Sequence, residues 1–186
     1  VKITRDIGLP GLVLVEPVVR RDPRGYFCET FRADALAEMT GGLPFVQDNQ
    51  SLSMLRGTLR GLHGQHAPHE QGKLVRCLAG ALFDVAVDIR PGSPTYGKFA
   101  TFELSADNFR QLWVPPGFLH GFCTLTENTI VAYKVTAYYN AAADFSIRHD
   151  DAEIGIAWPD CLDRANLSPK DRDAPGLAAM MRERGR

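Results

Sequence analysis

The sequence predicts an all-β domain, a β-sandwich or double-sheet jelly roll with short peripheral helices. Three observations carry this. Short runs rich in Val, Ile, Phe and Tyr recur along the chain and are broken by Pro and Gly, the pattern of many short strands joined by turns. In LFDVAVDIR the apolar Phe83, Val85, Val87 and Ile89 alternate with positions that include Asp84, Asp88 and Arg90, which gives one apolar face and one partly polar face. Helical pattern is confined to ADALAEM, ended by Gly41, and to the region after Ser168, where APGLAAMMRER reads as a short helix.

In chain order the first expected strand is the apolar LVLVEPVV, 12–19, followed by the aromatic GYFCETF, 25–31. Strands at 57–62 and 73–78 flank a segment rich in Gly and His, and 81–90 is the alternating run itself. The turn PGSPTYG separates it from 98–104; the turn VPPGF lies between 111–115 and 119–125, and 129–138 closes the series. No repeat or low-complexity linker interrupts this order, so the 186 residues read as one domain, 1–186, with a C-terminal extension from about 160 packing on it. The mouth or interior of such a fold can hold a small ligand.

Composition narrows the partners. The 21 Lys and Arg against 22 Asp and Glu leave a net charge of −1, which offers no global attraction to nucleic acid or an anionic membrane. The first residues, VKITRDIGLPGLVLVEPVV, lack a long apolar core, and no run reaches about 18 apolar residues. A cytoplasmic protein is expected. Cys28, Cys77, Cys123 and Cys161 are scattered without a C-x-x-C pair, so free thiols are expected rather than a zinc knuckle or disulfide framework.

The stretch RGLHGQHAPHEQGKLVR, 60–76, holds His63, His66 and His69, three of the five histidines. A metal pair on one strand wants His-x-His, because residues of equal parity share a face. The spacing here is His-x-x-His, and Gly64 and Pro68 disfavour the helix that could reunite the two rings. A loop could still do so, and His120 in PPGFLHGF could approach His63 across a barrel. Spacing alone leaves three readings open: a metal site, structural histidines, and a catalytic histidine without metal.

Taken together and in order, DPRGYFCETF, FVQDNQSLS, RGLHGQ, QGKLVRC, ALFDVAVDIRPGSPTYGK, QLWVPPGFLHGF, YKVTAYYN and LSPKD resemble the dTDP-4-dehydrorhamnose 3,5-epimerase family over roughly residues 10–175. The resemblance implies a cupin-type jelly roll that uses no cofactor or metal. It implies inversion of the carbons flanking the C4 ketone of dTDP-4-dehydro-6-deoxyglucose, a step of dTDP-rhamnose biosynthesis for cell-surface polysaccharide.

By that resemblance His63 is the base, Asp171 its orienting partner, Tyr133 the acid and Lys73 the cation that stabilises the enolate. Asp171 keeps a structural alternative, because Ser168-Pro169-Lys170-Asp171 also fits a capping box with Pro at the first helical position. Substrate contacts are implied for Arg24, Phe27, Glu29, Gln47, Asn49, Arg60, His120, Asp144 and Lys170, with Tyr139 stacking on the base. Tyr133 and Tyr139 share parity, so a regular strand would aim both rings one way. Arg60, three residues from His63, would point the other way unless a bulge at Gly61 or Gly64 intervened. The DPRGYFCETF region is expected in a neighbouring subunit's pocket, which implies a homodimer.

Gly64, Gln50, Asp144 and His149 depart from the usual family pattern. They leave open a mono-epimerase acting at C5 or C3 alone. Two readings of other classes also stand: a metal-dependent cupin oxygenase using the histidines, and a sugar-nucleotide-binding module without turnover.

Overall fold

The computed structural model describes residues 1–184. Its strands among these residues are β1 (Lys2–Arg5), β2 (Val13–Glu16), β3 (Val19–Asp22), β4 (Gly25–Cys28), β5 (Gln47–Ser53), β6 (Leu59–Gln65), β7 (Lys73–Ala79), β8 (Ala81–Asp88), β9 (Phe99–Ser105), β10 (Gln111–Val114), β11 (Phe118–Thr124), β12 (Thr129–Val135) and β13 (Asp144–Ser146). The helices are short: α1 (Ala33–Leu36), α2 (Pro169–Arg172) and α3 (Leu177–Arg184).

Two antiparallel sheets face each other. One has the order β1-β2-β10-β7-β12-β5, the other β13-β6-β11-β8-β9, and β3 with β4 forms a separate hairpin. Between the sheets lie Val75 and Cys77 of β7, Leu82 and Ala86 of β8, Phe118 and Phe122 of β11, and Val131 of β12. The outer face of the five-stranded sheet is also apolar: Leu62, Val85, Val87 and Leu119 pack under Phe145, Ile147, Ile154 and Leu177. Val13, Val15, Leu74 and Trp113 of the other sheet are covered likewise by Leu36 and Met39. Each fully buried Leu of these layers contributes about 1.5–3 kcal/mol.

Burial on both faces explains the pattern of β8. Its apolar positions Val85 and Val87 face outward under the C-terminal extension, and the partly polar face turns inward. The carboxylates Asp84 and Asp88 are consequently buried, at 0% exposure. Asp88 is satisfied by Arg90, Ser93 and Thr95.

Several boundaries differ from expectation. The run 12–19 is two strands, β2 and β3, divided at Pro17, since proline breaks a ladder. ADALAEM forms only the single turn α1. The strand expected to reach 138 stops at Val135, where side chains replace ladder bonds: Gln71 Nε2 donates to Ala137 O (2.8 Å) and Gln65 Nε2 to Tyr138 O (3.3 Å). Strand β5, QDNQSLS, lacks the apolar alternation of a core strand, because its inward residues line a cavity rather than the core.

Candidate active site

The polar interior begins with strand parity. On β6, Leu62 and Gly64 point to the outer layer, and His63 points between the sheets. His63 lies directly opposite His120 of β11 in the ladder. From the facing sheet, Lys73 of β7 and Tyr133 of β12 point into the same space, with Gln47, Asn49 and Ser51 of β5 beside them.

Arg60 joins them through a bulge. The step from His120 to Phe122 on β11 opposes the longer step from His63 to Arg60 on β6, so the register shifts there and the parity of Arg60 is reversed. Gly61 sits at this point with φ +126°, where a Cβ would fall 2.5 Å from Gly121 Cα. Only glycine fits both the conformation and the approach. Arg60 Nε donates to Ser53 Oγ (3.1 Å) and Nη2 to Leu52 O (3.0 Å), which fixes the guanidinium at the cavity edge.

The resulting cavity of about 530 Å³ is lined by residues that include Arg60, His63, Lys73, His120, Tyr133 and Asp171. A second one of about 350 Å³ shares His63, Lys73 and Tyr133 and adds Gln47, Asn49, Tyr139, Asp144 and Lys170. A groove of about 880 Å³ against Phe118, Phe145 and Met180 is roomier. Its titratable residues are His66, stacked on Phe145, Arg90, forked onto Asp88, and Glu70, so its histidine and its cation are already engaged and volume is not the guide here.

The C-terminal extension supplies Asp171. Ser168 caps α2 by accepting from Asp171 N (3.1 Å), so the cap rests on the serine hydroxyl. The Asp171 carboxylate is left to accept from His63 Nε2 at 2.5 Å and from Ser168 Oγ at 2.8 Å. One residue thus occupies both the capping turn and the histidine pair. Burial raises the Asp171 carboxyl, but bonding to His63 and Ser168, with Lys170 nearby, outweighs this and holds it below its ordinary range.

Other groups are tuned by the same interior. Burial brings Lys73 down to about 8, while Asp144 and Asp84 pull it up and Lys170 opposes them. Burial raises the Tyr133 phenol, and Arg60 partly offsets it. An ammonium that loses its proton readily and a phenol that keeps its own sit in one cavity with an imidazole. Such a set can remove a proton, stabilise an oxyanion and return a proton.

The three clustered histidines do not converge. His66 stacks on Phe145, with centroids 4.2 Å apart, and His69 Nε2 lies 3.1 Å from Asn140 Nδ2. Tyr139 lies beyond the end of β12, so parity does not place it; a loop brings it to the second cavity, where its hydroxyl donates to Asp144 (3.3 Å). Lys170 Nζ also donates to Asp144.

Arg24, Phe27 and Glu29 are not brought into this cavity. They lie on or beside the exposed β3–β4 hairpin, where Phe27 is 69% exposed and Arg24 forks onto Asp22. Three of the departures point elsewhere too. Gly64 has no room for a side chain, since a Cβ would meet Phe145 Cζ at 2.9 Å, and Gln50 is exposed. His149 is buried, and among the described residues its ring nitrogens have no hydrogen-bond partner, so burial lowers its pKa.

Sequence reasoning missed Asp84, whose carboxylate lies 2.9 and 3.0 Å from His120 Nε2, and the rim residues Thr58 and Asn166. The available signal was a charged residue inside an otherwise apolar strand.

A family model described as dTDP-4-dehydrorhamnose 3,5-epimerase matches residues 6–179. A protein of that name from Sinorhizobium fredii is 49% identical over 176 residues, 95% of this chain and 90% of its own length. The crystal structure of a dTDP-6-deoxy-D-glucose-3,5-epimerase from Legionella pneumophila, in complex with dTDP-4-keto-L-rhamnose, superposes with TM-score 0.90 at 44% identity, covering 98% of this chain and 95% of that one. A 3'-monoepimerase from Streptomyces bikiniensis, bound to dTDP-quinovose, also reaches TM-score 0.90, at 34% identity over 97% of this chain and 90% of that one.

Proposed function

The chain belongs to the dTDP-4-dehydrorhamnose 3,5-epimerase family, and from that premise we propose how its cavity performs the reaction. The enzyme is an isomerase that inverts C3 and C5 of dTDP-4-dehydro-6-deoxy-D-glucose to give dTDP-4-dehydro-L-rhamnose. Among the described residues no helix is long and apolar enough to cross a membrane.

His63 takes the proton from the carbon next to the ketone. Its Nε2 is committed to Asp171, so Nδ1 is the basic nitrogen, and the carboxylate stabilises the imidazolium that forms. The electron pair moves onto the C4 oxygen, and Lys73 balances that charge. Tyr133, from the facing sheet, returns a proton to the opposite face of the enolate. Solvent then takes the proton from His63 and restores one to Tyr133, repetition at the second carbon completes the product, and no redox change occurs.

One observation carries this reading: imidazole and phenol line one cavity from opposite sheets, with the Lys73 ammonium in the same cavity from the strand next to that of the phenol. Removal on one face and delivery on the other is what inversion requires. Gln47, Asn49, Arg60, His120, Tyr139, Asp144 and Lys170 form the sugar and nucleotide contacts of the same chain.

Arg24, Phe27 and Glu29 act on a second copy. An exposed hairpin carrying Phe27, Tyr26 and a guanidinium is suited to complete a neighbour's nucleotide site, which supports a homodimer. Residues 1–186 act as one domain, in which the extension from about 160 contributes Asp171. A cytoplasmic setting suits the free thiols.

The test is incubation with dTDP-4-dehydro-6-deoxy-D-glucose in deuterated water. Incorporation of deuterium beside the ketone is expected. Binding without exchange would instead support the binding-module reading.

A further inference from the structure

Two of the four cysteines, distant in sequence, meet in the fold. Cys123 lies in β11, the strand that carries His120, and Cys161 lies in the C-terminal extension. Their sulfurs converge on one acceptor. Cys123 Sγ is 3.8 Å and Cys161 Sγ 3.7 Å from Thr124 O, the second across a sequence separation of 37 residues. The two thiols are also hydrogen-bonded to one another. Cys28, in the hairpin strand β4, and Cys77, whose thiol donates to Ala79 O and Gly80 O, take no part.

The backbone around the pair is fixed from both sides. Thr124 O accepts from Gly57 N at 2.8 Å, and Gly57 O accepts from Asp163 N at 3.0 Å, so the turn at Gly57 clamps the Cys161 segment against the end of β11. The approach is close: a Cβ at Gly57 would fall 1.9 Å from Cys161 O. Because Thr124 O keeps its bond from Gly57, the long S–H contacts can be given up without stranding a buried acceptor. The two thiols differ in access, since Cys123 is fully buried and Cys161 half-buried.

We propose that Cys123 and Cys161 form a reversible dithiol–disulfide site, oxidised by a low-molecular-weight disulfide, that fastens the C-terminal extension to the jelly roll. Cys161, the accessible member, reacts first. Its thiolate attacks one sulfur of the disulfide RSSR, the bond between the two R-bearing sulfurs breaks, and the departing thiolate takes up a proton as RSH. Cys123 then loses its proton to solvent, and its sulfur attacks Cys161 Sγ and expels the second RS⁻, again released as RSH. The protein thiols give up two electrons and two protons, and RSSR gains them. Burial and the neighbouring Cys161 push the Cys123 thiol up to about 12, so closure is slow at neutral pH and quickens as pH rises. Under thiol-rich conditions the pair stays reduced. The extension fastened in this way goes on to Asn166, bonded to Thr58 Oγ1 at 2.8 Å, and to Asp171, bonded to His63. Oxidation adds a covalent tie ahead of these hydrogen bonds.

The test treats the whole reduced protein with glutathione disulfide, blocks the remaining thiols with iodoacetamide and maps the peptides by mass spectrometry. Peptides joined through Cys123 and Cys161 are expected, released by dithiothreitol, with Cys28 and Cys77 alkylated. The oxidised protein should melt on the order of 5 °C or more above the reduced one. Cys161→Ser, treated alike, should show neither the bridge nor the shift, and the wild-type map decides even if that variant does not fold. Thiols that all remain alkylatable overturn the proposal, as does a glutathione adduct that stays on Cys161 without closure, or a bridge that involves Cys28 or joins two copies. A Cys123–Cys161 bridge that leaves the melting temperature unchanged or lowers it also overturns it, because the extension is then not held more firmly. None of these readouts uses turnover, so they stand apart from the roles of His63 and Asp171.

Discussion

His63 Nε2 and Asp171 Oδ1 lie 2.5 Å apart across a sequence separation of 108 residues. The contact joins a strand of the jelly roll to the one-turn helix α2, whose cap is made by Ser168. The orienting carboxylate and the capping hydroxyl are thus different side chains, and substitution can separate their roles.

Asp171→Asn should lose kcat by on the order of 10²-fold or more, because the amide cannot balance an imidazolium. Its fold should persist, since Ser168 still caps the turn. Ser168→Ala should show the converse emphasis, losing about 1 kcal/mol of stability. Burial opposes ionisation of Asp171, but His63 and Ser168 overcome it and the folded pKa is depressed. Its stabilising contribution is complete above the unfolded carboxylate value near 3.9 and is lost as pH falls through the lower folded value. Thermal melts between about pH 2 and 5 should therefore be flatter for the Asn variant. A large drop in melting temperature with normal turnover at neutral pH would remove Asp171 from the reaction.

His63→Ala should abolish turnover and exchange together, since no other group begins the reaction. Tyr133→Phe keeps the ring and loses the hydroxyl, so deuterium should still wash in while completion of at least one inversion falters. Solvent-exchange NMR paired with product assay separates the two. Near-normal product from His63→Ala would defeat the base assignment.

Lys73 gives the enzyme an alkaline limit. Its pKa is held down to about 8 by burial, so the ammonium is charged below that value and kcat should decline above it. Lys73→Ala should lower kcat about 10²-fold with a smaller effect on KM, as expected for a group that acts on developing charge. An effect confined to KM would make it a binding residue instead.

How much of this was legible depended on what each residue faces. Core strands such as β7, β8 and β11 are rich in apolar residues that are buried on one face or both, and their spans emerge from those short apolar runs. Strand β5 does not, because Gln47, Asn49 and Ser51 face the cavity and the pattern of burial is written in polar side chains. Parity placed His63 apart from His66, but it could not place Arg60, whose orientation depends on the shift at Gly61. It also could not place Tyr139, which follows the last ladder residue. Asp84 was visible only as a charge in an apolar run, since nothing in a linear pattern shows that its partner is His120 from a different strand. The contacts implied for residues 24–29 are not made within the single chain, where Tyr26 and Phe27 are exposed.

Chelation should leave turnover unchanged. His66 is occupied against Phe145 and His69 against Asn140, while His63 and His120 each hold a carboxylate. Assay after dialysis against a strong chelator, with elemental analysis of the same sample, checks this. Complete loss of activity restored by one metal would favour the oxygenase-like reading of the histidines.

Both C3 and C5 should exchange. The fold does not decide this, because a 3'-monoepimerase superposes as well as a 3,5-epimerase does. The pocket is more informative. At Gly64, next to His63 in sequence, a Cβ would point away from the cavity into space filled by Phe145. Gly64 lines the second cavity beside His63 but a side chain there would point to the outer layer, so its small size does not argue for a single centre. Asp144 does reach the cavity, but it is tied to Lys170 and Tyr139 at the rim rather than to His63 or Tyr133. A shorter carboxylate there should alter substrate affinity more than the presentation of either carbon to the base. With dTDP-4-dehydro-6-deoxy-D-glucose in deuterated water, NMR should show label at both positions. Reduction of the ketone should then give the rhamnose-configured sugar. Asp144→Glu should change KM without changing the ratio of label at the two carbons. Label confined to one carbon after prolonged incubation would leave the base and fold in place and make the enzyme a mono-epimerase.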